Sequence, residues 1–433
     1  MAESGIKCSD LIYDWNQTAR GAQRARRPIQ LNDETLRDGL QSPSVRDPSI
    51  GEKTEILHLM ESLGIDSLDL GLPGAGPRAV EHVEALAREI ASSRLKIRAN
   101  CAARTHQNDI RPIAAIQDRT GVAIEAATFL GSSPLRRYTE GWTQDFLRRT
   151  TESAVAYARS LGLAVMYVTE DTTRCDPETV RLLYLTAINC GARAIVACDT
   201  CGHATPMGVY ELVKFIRDEV IVPSGESIRL DWHGHSDRGL GLANSLAAIA
   251  AGADSIHGCA LGLGERVGNV QMDQLLVNLK LMGVAPWDGQ DLRRLGEYCR
   301  AVARATGVPI PDNYPVVGRD AFRTGTGVHA SAIIKALRKD DVELADAVYS
   351  GVPAHLFGLH QTIEIGPMSG RSNVVFWLQQ RRLTPEDELV DAILARAKQS
   401  DRLLEELEIL ALCRDHWQKR VSERQSFDGR LAG

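Results

Sequence analysis

The sequence lacks the features that would place the protein in a membrane, outside the cell or on nucleic acid. No apolar run in its 433 residues is long enough to cross a bilayer. The N-terminus mixes Glu3, Lys7 and Asp10 without an apolar signal core, so secretion is not expected. The formal net charge of −6 argues against general nucleic-acid binding, which depends on neutralising phosphates. These absences predict a cytoplasmic protein that binds neither membranes nor nucleic acids.

Cysteine pairs typical of zinc fingers or disulfide frameworks are also missing. The nine cysteines are odd in number and scattered along the chain, which fits a reducing compartment. Cys198 and Cys201 form a C-x-x-C, for which redox chemistry is a weak alternative. The residues between and around them have a better explanation, given below.

What the sequence does contain is a repeated alternation of short apolar runs with helical patterns. Helical segments end in a glycine that is followed by a short turn into the next apolar run, as at Gly64, Gly162 and Gly252. Eight such units over roughly 250 residues predict a parallel (β/α)8 TIM barrel. A doubly wound sheet is the competitor, but no G-x-G-x-x-G turn follows the first strand. The predicted strands are Ile29–Asn32, Ser67–Gly71, Lys96–Asn100, Ala123–Ala127, Ala164–Val168, Ala194–Cys198, Ile228–Trp232 and Ser255–Gly258.

The alternation stops near residue 286, and the chain is longer than a usual single domain. The sequence therefore predicts three parts. Residues 1–28 form an N-terminal arm, residues 29–285 form the catalytic barrel, and residues 286–433 form a mainly helical C-terminal region.

His233 and His235 are the most informative residues for function. They end a predicted strand at positions i and i+2, so both imidazoles point to the same face and can bind one metal ion. The alternative is two polar residues at the start of a loop. A second segment, residues 31–41, supplies carboxylates and an arginine at another strand end. In a TIM barrel such residues meet at one face, where active sites form.

Five segments together resemble a known family. Asp33–Gly39 is similar to the family's D-x-T-L-R-D-G, His233–Ser245 to H-x-H-N-D-x-G-x-x-x-A-N-S, Gly262–Asn269 to G-x-G-E-R-x-G-N, Thr169–Arg174 to E-D-x-x-R, and Asp199–Gly202 to D-T-V-G. The last match explains the C-x-x-C as a coincidence. Over about residues 29–375 the chain resembles the Claisen-condensing enzymes that make 2-isopropylmalate, homocitrate and citramalate, within the DRE-TIM metallolyase superfamily.

The resemblance implies a metal-assisted condensation of acetyl-CoA with a 2-oxo acid, followed by thioester hydrolysis. It also implies metal ligands, which are Asp38, His233, His235 and Asn269. Such a donor set leaves open positions for the 2-oxo acid, and it does not decide among Mg2+, Mn2+ and Zn2+. For Asp38, a helix cap is the structural alternative.

Further residues receive roles from the same resemblance. Arg37 would stabilise the alkoxide that forms on the ketone, although a surface ion pair is the alternative. Thr200 would bind the substrate carboxylate or merely cap a turn. His329 would act as the base, contributed by the helical region of a homodimer partner. Glu170 would support the acetyl-CoA site or proton transfer, unless it caps a helix.

The identity of the 2-oxo acid is open at this stage. Asp69 is expected in the substrate site, where the family usually has a glutamate. Arg136 and Arg137 follow the fourth strand and could clamp a distal carboxylate, or they could face solvent or the CoA phosphates. An apolar pocket lined by Leu70, Leu72 and Pro73 would favour a branched apolar substrate instead.

Two other functions compete with the synthase. The first is a lyase of the same superfamily, of the hydroxymethylglutaryl-CoA type, but such lyases carry a cysteine-rich G-G-C-P loop where this chain has Gly264–Arg266. The second is a non-catalytic binding protein, which would require a lost ligand or a lost Arg37. The C-terminal region is also too short for a leucine-type regulatory domain, so no feedback by leucine is expected.

Overall fold

In the computed structural model, which describes residues 8–17 and 27–431, eight parallel strands close into one barrel. The strands are β1 (Gln30–Asp33), β2 (Ser67–Asp69), β3 (Arg98–Arg104), β4 (Ile124–Gly131), β5 (Ala164–Glu170), β6 (Ala194–Asp199), β7 (Arg229–Gly234) and β8 (Ser255–Gly258). Strands that are consecutive in the chain are neighbours in the barrel. Strand β1 closes it by pairing with β8, with Gln30 opposite Ser255. The predicted (β/α)8 barrel is confirmed.

A helical segment follows each strand. The helices of the barrel unit are α1 (Ile50–Ser62), α2 (Pro77–Ser92), α3 (Gln107–Thr120), α4 (Pro134–Glu140), α5 (Gln144–Ser160), α6 (Pro177–Asn189), α7 (Pro206–Ile216), α8 (Val222–Ser224), α9 (Gly241–Ala251), α10 (Met272–Leu281) and α11 (Leu295–Thr306). Ser49 and Glu52 form a capping box that starts α1. Gly162, at φ 78°, lets the chain leave α5 in a left-handed conformation that other residues disfavour.

The chain divides into two compact units. One comprises Trp15–Ile310 and contains the barrel, and the other comprises Met1–Asp14 and Pro311–Gly433. Helix α11 belongs to the barrel unit, where Tyr298 donates a hydrogen bond to Asp33 at the end of β1. The domain boundaries predicted at 28/29 and 285/286 stay predictions. Most of the predicted arm, 1–28, lies outside the described residues.

The second unit is mainly helical, with a two-stranded parallel sheet. Its elements are β9 (Arg323–Thr324), α12 (Gly327–Leu337), α13 (Val342–Ala347), β10 (Thr362–Ile363), α14 (Arg371–Gln380), α15 (Asp387–Lys398) and α16 (Glu406–Leu431). Trp377 and Leu378 of α14 pack against apolar residues of α15 and α16 in a buried cluster. Across the described parts of both units, no helix is long and apolar enough to cross a membrane.

Candidate active site

A cavity of about 250 Å3 opens at the C-terminal ends of the barrel strands, where a TIM barrel places its active site. Its wall has two chemically distinct halves. Most of its apolar residues come from β3 to β6, and the charged ones come mainly from β1, β2, β7, β8 and the loops that follow them. The apolar lining consists of Leu72, Ala102, Ala127, Phe129, Met166, Val168, Val196 and Cys198. The polar lining consists of Glu34, Arg37, Asp38, Gln41, Asp69, Glu170, Thr200, His233, His235, His257 and Glu265.

The structure brings three of the four predicted metal ligands together at the polar half. Asp38, His233 and His235 each offer a ligand atom, and these atoms lie within 4.8 Å of one another. The two Nε2 atoms of the histidines are 3.3 Å apart. Burial lowers the pKa of His235 to about 4, so its imidazole is neutral at neutral pH and can donate a lone pair to a cation.

Asn269, the fourth predicted ligand, lies against the same carboxylate. Its Nδ2 donates to Asp38 Oδ1 at 2.6 Å and to the Leu263 carbonyl at 3.0 Å. The Asn269 Oδ1 is buried without a hydrogen-bond partner, and so is Nδ1 of His235. A buried polar atom without a partner is costly unless a missing group satisfies it, and the Asn269 oxygen can only accept, so a cation would satisfy it. The donor set of one carboxylate, two imidazoles and an amide oxygen therefore fits a divalent cation.

Arg37 lies beside this group and is held by carboxylates on three sides. Its Nη1 donates to Asp38 Oδ2 at 2.8 Å, its Nε donates to Asp69 Oδ2 at 2.9 Å, and its Nη2 bonds to Glu34. Only 18% of the side chain is exposed, so the surface ion pair considered from the sequence does not describe it. The guanidinium is fixed in orientation at the cavity wall.

Glu34 connects Arg37 with two histidines. Its Oε2 lies 3.4 Å from Nδ1 of His233, and its Oε1 lies 2.6 Å from Nδ1 of His257. Burial opposes ionisation, but the charge of Arg37 and the two imidazoles hold the pKa of Glu34 well below its usual range. Burial also opposes a positive charge on His257. The carboxylates of Glu34 and Asp231 outweigh the effect of burial and raise the pKa of His257 to about 9.

Asp69 is buried in the polar half of the cavity. Its Oδ1 accepts from the backbone N–H of Gly71 at 3.0 Å while Oδ2 pairs with Arg37. Burial raises the pKa of Asp69 to about 6, despite the nearby guanidinium. Asp69 therefore titrates closer to neutrality than an exposed aspartate does.

Glu170 and Thr200 line the cavity at the ends of β5 and β6. Burial raises the pKa of Glu170, and no side-chain hydrogen bond stabilises its anion among the described contacts. The Thr200 hydroxyl accepts from the backbone N–H of Asp171 at 2.8 Å, so it bonds to the turn as well as facing the cavity.

Three predicted site residues are not part of the cavity lining in the barrel unit. Arg136 is half-exposed on α4, 3.2 Å from Glu140, and Arg137 donates to Thr179 Oγ1 at 2.9 Å. Neither lines the cavity. His329 is an exposed residue of α12 in the second unit, where its ring centroid lies 4.0 Å from that of Tyr349.

Sequence reasoning assigned no role to two central residues, Glu34 and His257. A signal was present, because β7 carries Arg229, Asp231 and His233 at alternate positions, which is the spacing of residues on one face of a strand. The interior of a TIM barrel is usually filled by branched apolar side chains. Polar residues at that spacing predict a charged barrel interior. Glu34, directly after β1, and His257 on β8 are the further members of it.

The ion pairs of this interior leave a charge deficit that matches a divalent cation. Five carboxylates are linked to three cationic side chains, namely Glu34, Asp38, Asp69, Asp231 and Glu125 with Arg37, His257 and Arg229. These ion pairs leave two negative charges uncompensated. Uncompensated buried charge is strongly destabilising, so a bound dication would improve the balance.

Comparison with known proteins agrees with this geometry. The HMGL-like family model matches residues 28–299. Homocitrate synthase AksA of Methanopyrus kandleri is 34% identical over 374 residues, which are 86% of this chain and 87% of the relative. The 2-isopropylmalate synthase of Pyrococcus furiosus is 30% identical over 401 residues, 90% of this chain and 76% of the relative.

Solved structures show the same barrel. The HMG-CoA lyase of Bacillus subtilis superposes with a TM-score of 0.55, covering 66% of this chain and 97% of the lyase at 18% identity. The HMG-CoA lyase of Pseudomonas aeruginosa superposes with a TM-score of 0.53 at 21% identity, covering 64% of this chain and 92% of the lyase. At such identities the similarity concerns the fold alone.

Proposed function

The chain belongs to the HMGL-like family, and we propose that within it the chain is an acyltransferase that condenses acetyl-CoA with a 2-oxo acid. The products are a 2-substituted malate and CoA, which leaves when water hydrolyses the thioester. The observation that carries this proposal is the single cavity in which the Arg37 guanidinium lies beside Asp38 and the paired histidines.

Asp38, His233 and His235 would hold the divalent cation, with the Asn269 side-chain oxygen as a fourth ligand. Mg2+, Mn2+ and Zn2+ all accept carboxylate and imidazole donors. When bound, such a cation supplies a Lewis acid that polarises the ketone of the 2-oxo acid. Glu34 would hold the His233 ring in its orientation through Nδ1, as carboxylates commonly do for ligating histidines.

Arg37 would stabilise the charge that develops on the ketone oxygen. The methyl group of acetyl-CoA loses a proton, its carbon forms a bond to the ketone carbon, and the ketone oxygen becomes an alkoxide. A guanidinium fixed in advance by Glu34, Asp38 and Asp69 needs no reorganisation when that charge appears, which is the basis of electrostatic catalysis.

Two groups would handle the proton of the acetyl methyl. Glu170 lines the cavity, and burial raises its pKa, which makes the carboxylate a stronger base than an exposed glutamate. His329 would be the base that removes the proton, supplied by the helical region of a second protomer in a homodimer. Its exposure is compatible with that role. Thr200 would bind the substrate carboxylate with its hydroxyl.

The apolar half of the cavity would receive the side chain of the 2-oxo acid. Phe129, Met166 and Val196 form this wall together with small residues, and no lysine or arginine lies on it. A distal carboxylate placed there would be desolvated without a partner, which costs several kcal/mol. An apolar side chain is therefore favoured over a second carboxylate, and a clamp by Arg136 and Arg137 is not supported by their contacts.

The test is CoA release from acetyl-CoA with pyruvate, 2-oxoisovalerate, 2-oxoglutarate or oxaloacetate, each with Mg2+ or Mn2+ and an EDTA control. We expect EDTA-sensitive release that is fastest with an apolar 2-oxo acid, and unchanged KM values in Arg137→Ala. If 2-oxoglutarate is preferred and Arg137→Ala raises its KM, the apolar assignment is wrong. If folded, metal-loaded protein releases no CoA with any acid, the synthase proposal itself fails.

The role of His329 predicts complementation between protomers. His329→Ala and Arg37→Ala should each be inactive as homodimers, whereas a mixture should recover up to about a quarter of wild-type activity, because random exchange leaves half of the dimers mixed with one intact site each. Subunit exchange is verified by native mass spectrometry of the mixture. Exchange without recovery of activity would contradict a base supplied in trans.

The lyase alternative has less support than the synthase. The lyase structures resemble this chain at 18–21% identity, which concerns the barrel alone, whereas the synthases reach 30–34% over most of the chain. The loop after β8 also carries Gly264–Arg266 in place of a cysteine-rich motif. We also propose a place in amino-acid biosynthesis, which the names of the related synthases support, and a cytoplasmic location.

A further inference from the structure

A continuous chain of charged side chains runs through the barrel interior and away from the active-site cavity. It starts at Arg37 and proceeds through Glu34, His257, Asp231 and Arg229 to Glu125, so that cations and anions alternate at every step. The internal distances are 2.6 Å for Glu34 to His257, 3.2 Å for His257 to Asp231, 2.9 Å for Asp231 to Arg229 and 2.8 Å for Arg229 to Glu125.

The chain ends at a second cavity at the opposite end of the barrel. This cavity, of about 590 Å3, is lined by residues from the N-terminal ends of β2, β3, β4, β5 and β7, and both Arg229 and Glu125 belong to its wall. The three residues between Arg37 and Arg229 are almost completely buried, with Glu34 4%, His257 2% and Asp231 1% exposed. Ion pairs at such depth cost several kcal/mol of desolvation per ion, so stability alone is a poor reason to keep them.

The hydrogen-bond pattern around His257 fixes its charge by geometry. Nδ1 faces a carboxylate oxygen of Glu34, and Nε2 faces a carboxylate oxygen of Asp231. A neutral imidazole has one N–H only and would turn a lone pair toward one of the two acceptors. His257 therefore donates from both nitrogens, and Arg229 holds Asp231 in place from the other side.

Glu34 is the point where this chain meets the proposed chemistry. The same carboxylate bonds to Arg37 and faces Nδ1 of the metal-binding His233. Without His257, Glu34 Oε1 would keep only the weak 3.4 Å contact with Asn32 Nδ2 among its described contacts, so the carboxylate would be held mainly through Oε2. A shift of the carboxylate would move the partner of both Arg37 and His233 at once.

We propose that His257 is a positioning residue, secured by Asp231 and Arg229, that acts through Glu34 on the metal-binding histidine and on Arg37. The part concerning Arg37 rests on the proposed function. The part concerning His233 does not, because it predicts an effect on cation binding in the absence of substrate. Removing a group that orients a metal-binding histidine from outside the ligand shell commonly lowers metal affinity by about 10- to 100-fold.

The test has two measurements on His257→Gln. Mn2+ binding without substrate is monitored by electron paramagnetic resonance, and CoA release is measured on the same protein. We expect Mn2+ affinity to fall by about 10-fold, and kcat to fall with little change in the KM for acetyl-CoA. The matched control is His58→Gln, which removes a half-exposed imidazole paired with Glu89 and should bind Mn2+ like the wild type. Wild-type Mn2+ affinity in folded His257→Gln would overturn the proposal.

A second pair of variants covers the possibility that His257→Gln does not fold. Arg229→Gln removes the cation that holds Asp231, and Arg229→Lys restores a charge at the same place. We expect weaker Mn2+ binding in the first and partial recovery in the second. Equal affinity in Arg229→Gln and the wild type would overturn the proposal. Mn2+ binding that depends on His257 in a protein without synthase activity would support the positioning role and reject the proposed function.

Discussion

Replacing Arg37 by alanine is expected to lower the turnover of acetyl-CoA and 2-oxo acid by about 10³-fold, the upper range for loss of one preorganised oxyanion partner. The guanidinium is nearly buried and held by Glu34, Asp38 and Asp69, so its position is set before substrate binds. Cation binding should survive the substitution, because no ligand is removed and a positive charge beside Asp38 disappears. The measurements are kcat from CoA release and Mn2+ affinity of the same preparation.

Two further variants define what the Arg37 result means. Arg37→Lys keeps the charge but has one nitrogen where the guanidinium uses three, so we expect an intermediate loss of turnover. Arg104→Ala removes an arginine at the end of β3 that pairs with Asp109 outside the cavity. We expect this control to leave turnover nearly unchanged. Turnover of Arg37→Ala close to that of the wild type would remove the role assigned to Arg37.

The barrel could be predicted from the sequence because its signal is local and repeated. Each helix stop, glycine and apolar run is read within about ten residues, and eight repeats compensate for errors in any one of them. The ends of strands are less certain. The prediction ended β3 at Asn100, but the strand continues to Arg104 through Cys101, Ala102 and Ala103. Alanine is not a residue that favours strands, so composition gives no signal there.

The candidate site could be predicted only where a motif marks a strand end. Asp38, His233 and His235 meet as expected, because parallel strands bring their carboxyl ends to one rim. The pairing of Glu34 with His257 spans 223 positions of sequence and depends on β1 closing against β8. The spacing of residues within one strand or helix cannot predict a contact between such distant positions.

Arg136 and Arg137 illustrate why a strand-end position is not sufficient. Both follow β4, and on that ground the sequence suggested a clamp for a distal carboxylate as one of three possibilities. Ser133, however, caps α4 through the N–H of Arg136, so the two arginines start a helix whose residues point in different directions. One arginine pairs with Glu140 along the helix, and the other reaches Thr179. Side-chain direction is decided by this turn and by the helix period.

The second large effect is expected for His235→Ala, which should lose stable cation binding and with it all metal-dependent turnover. The Nε2 atoms of His235 and His233 are 3.3 Å apart, and Asp38 completes the group, so deleting one imidazole removes one of three close donors. Substitutions outside the ligand shell already change affinity by about 10- to 100-fold, and loss of a ligand should exceed about 100-fold.

Metal content after dialysis, measured by elemental analysis, tests the assignment of His235 directly. The matched control is His203→Ala, an exposed histidine in the loop after β6 whose described contacts use only its backbone. It should retain one equivalent of metal. Because the wild-type protein keeps all three close donors, EDTA-treated wild-type protein should regain the cation and its activity on adding Mn2+, whereas His235→Ala should regain neither. One equivalent of metal retained by folded His235→Ala would place the cation elsewhere and refute the site.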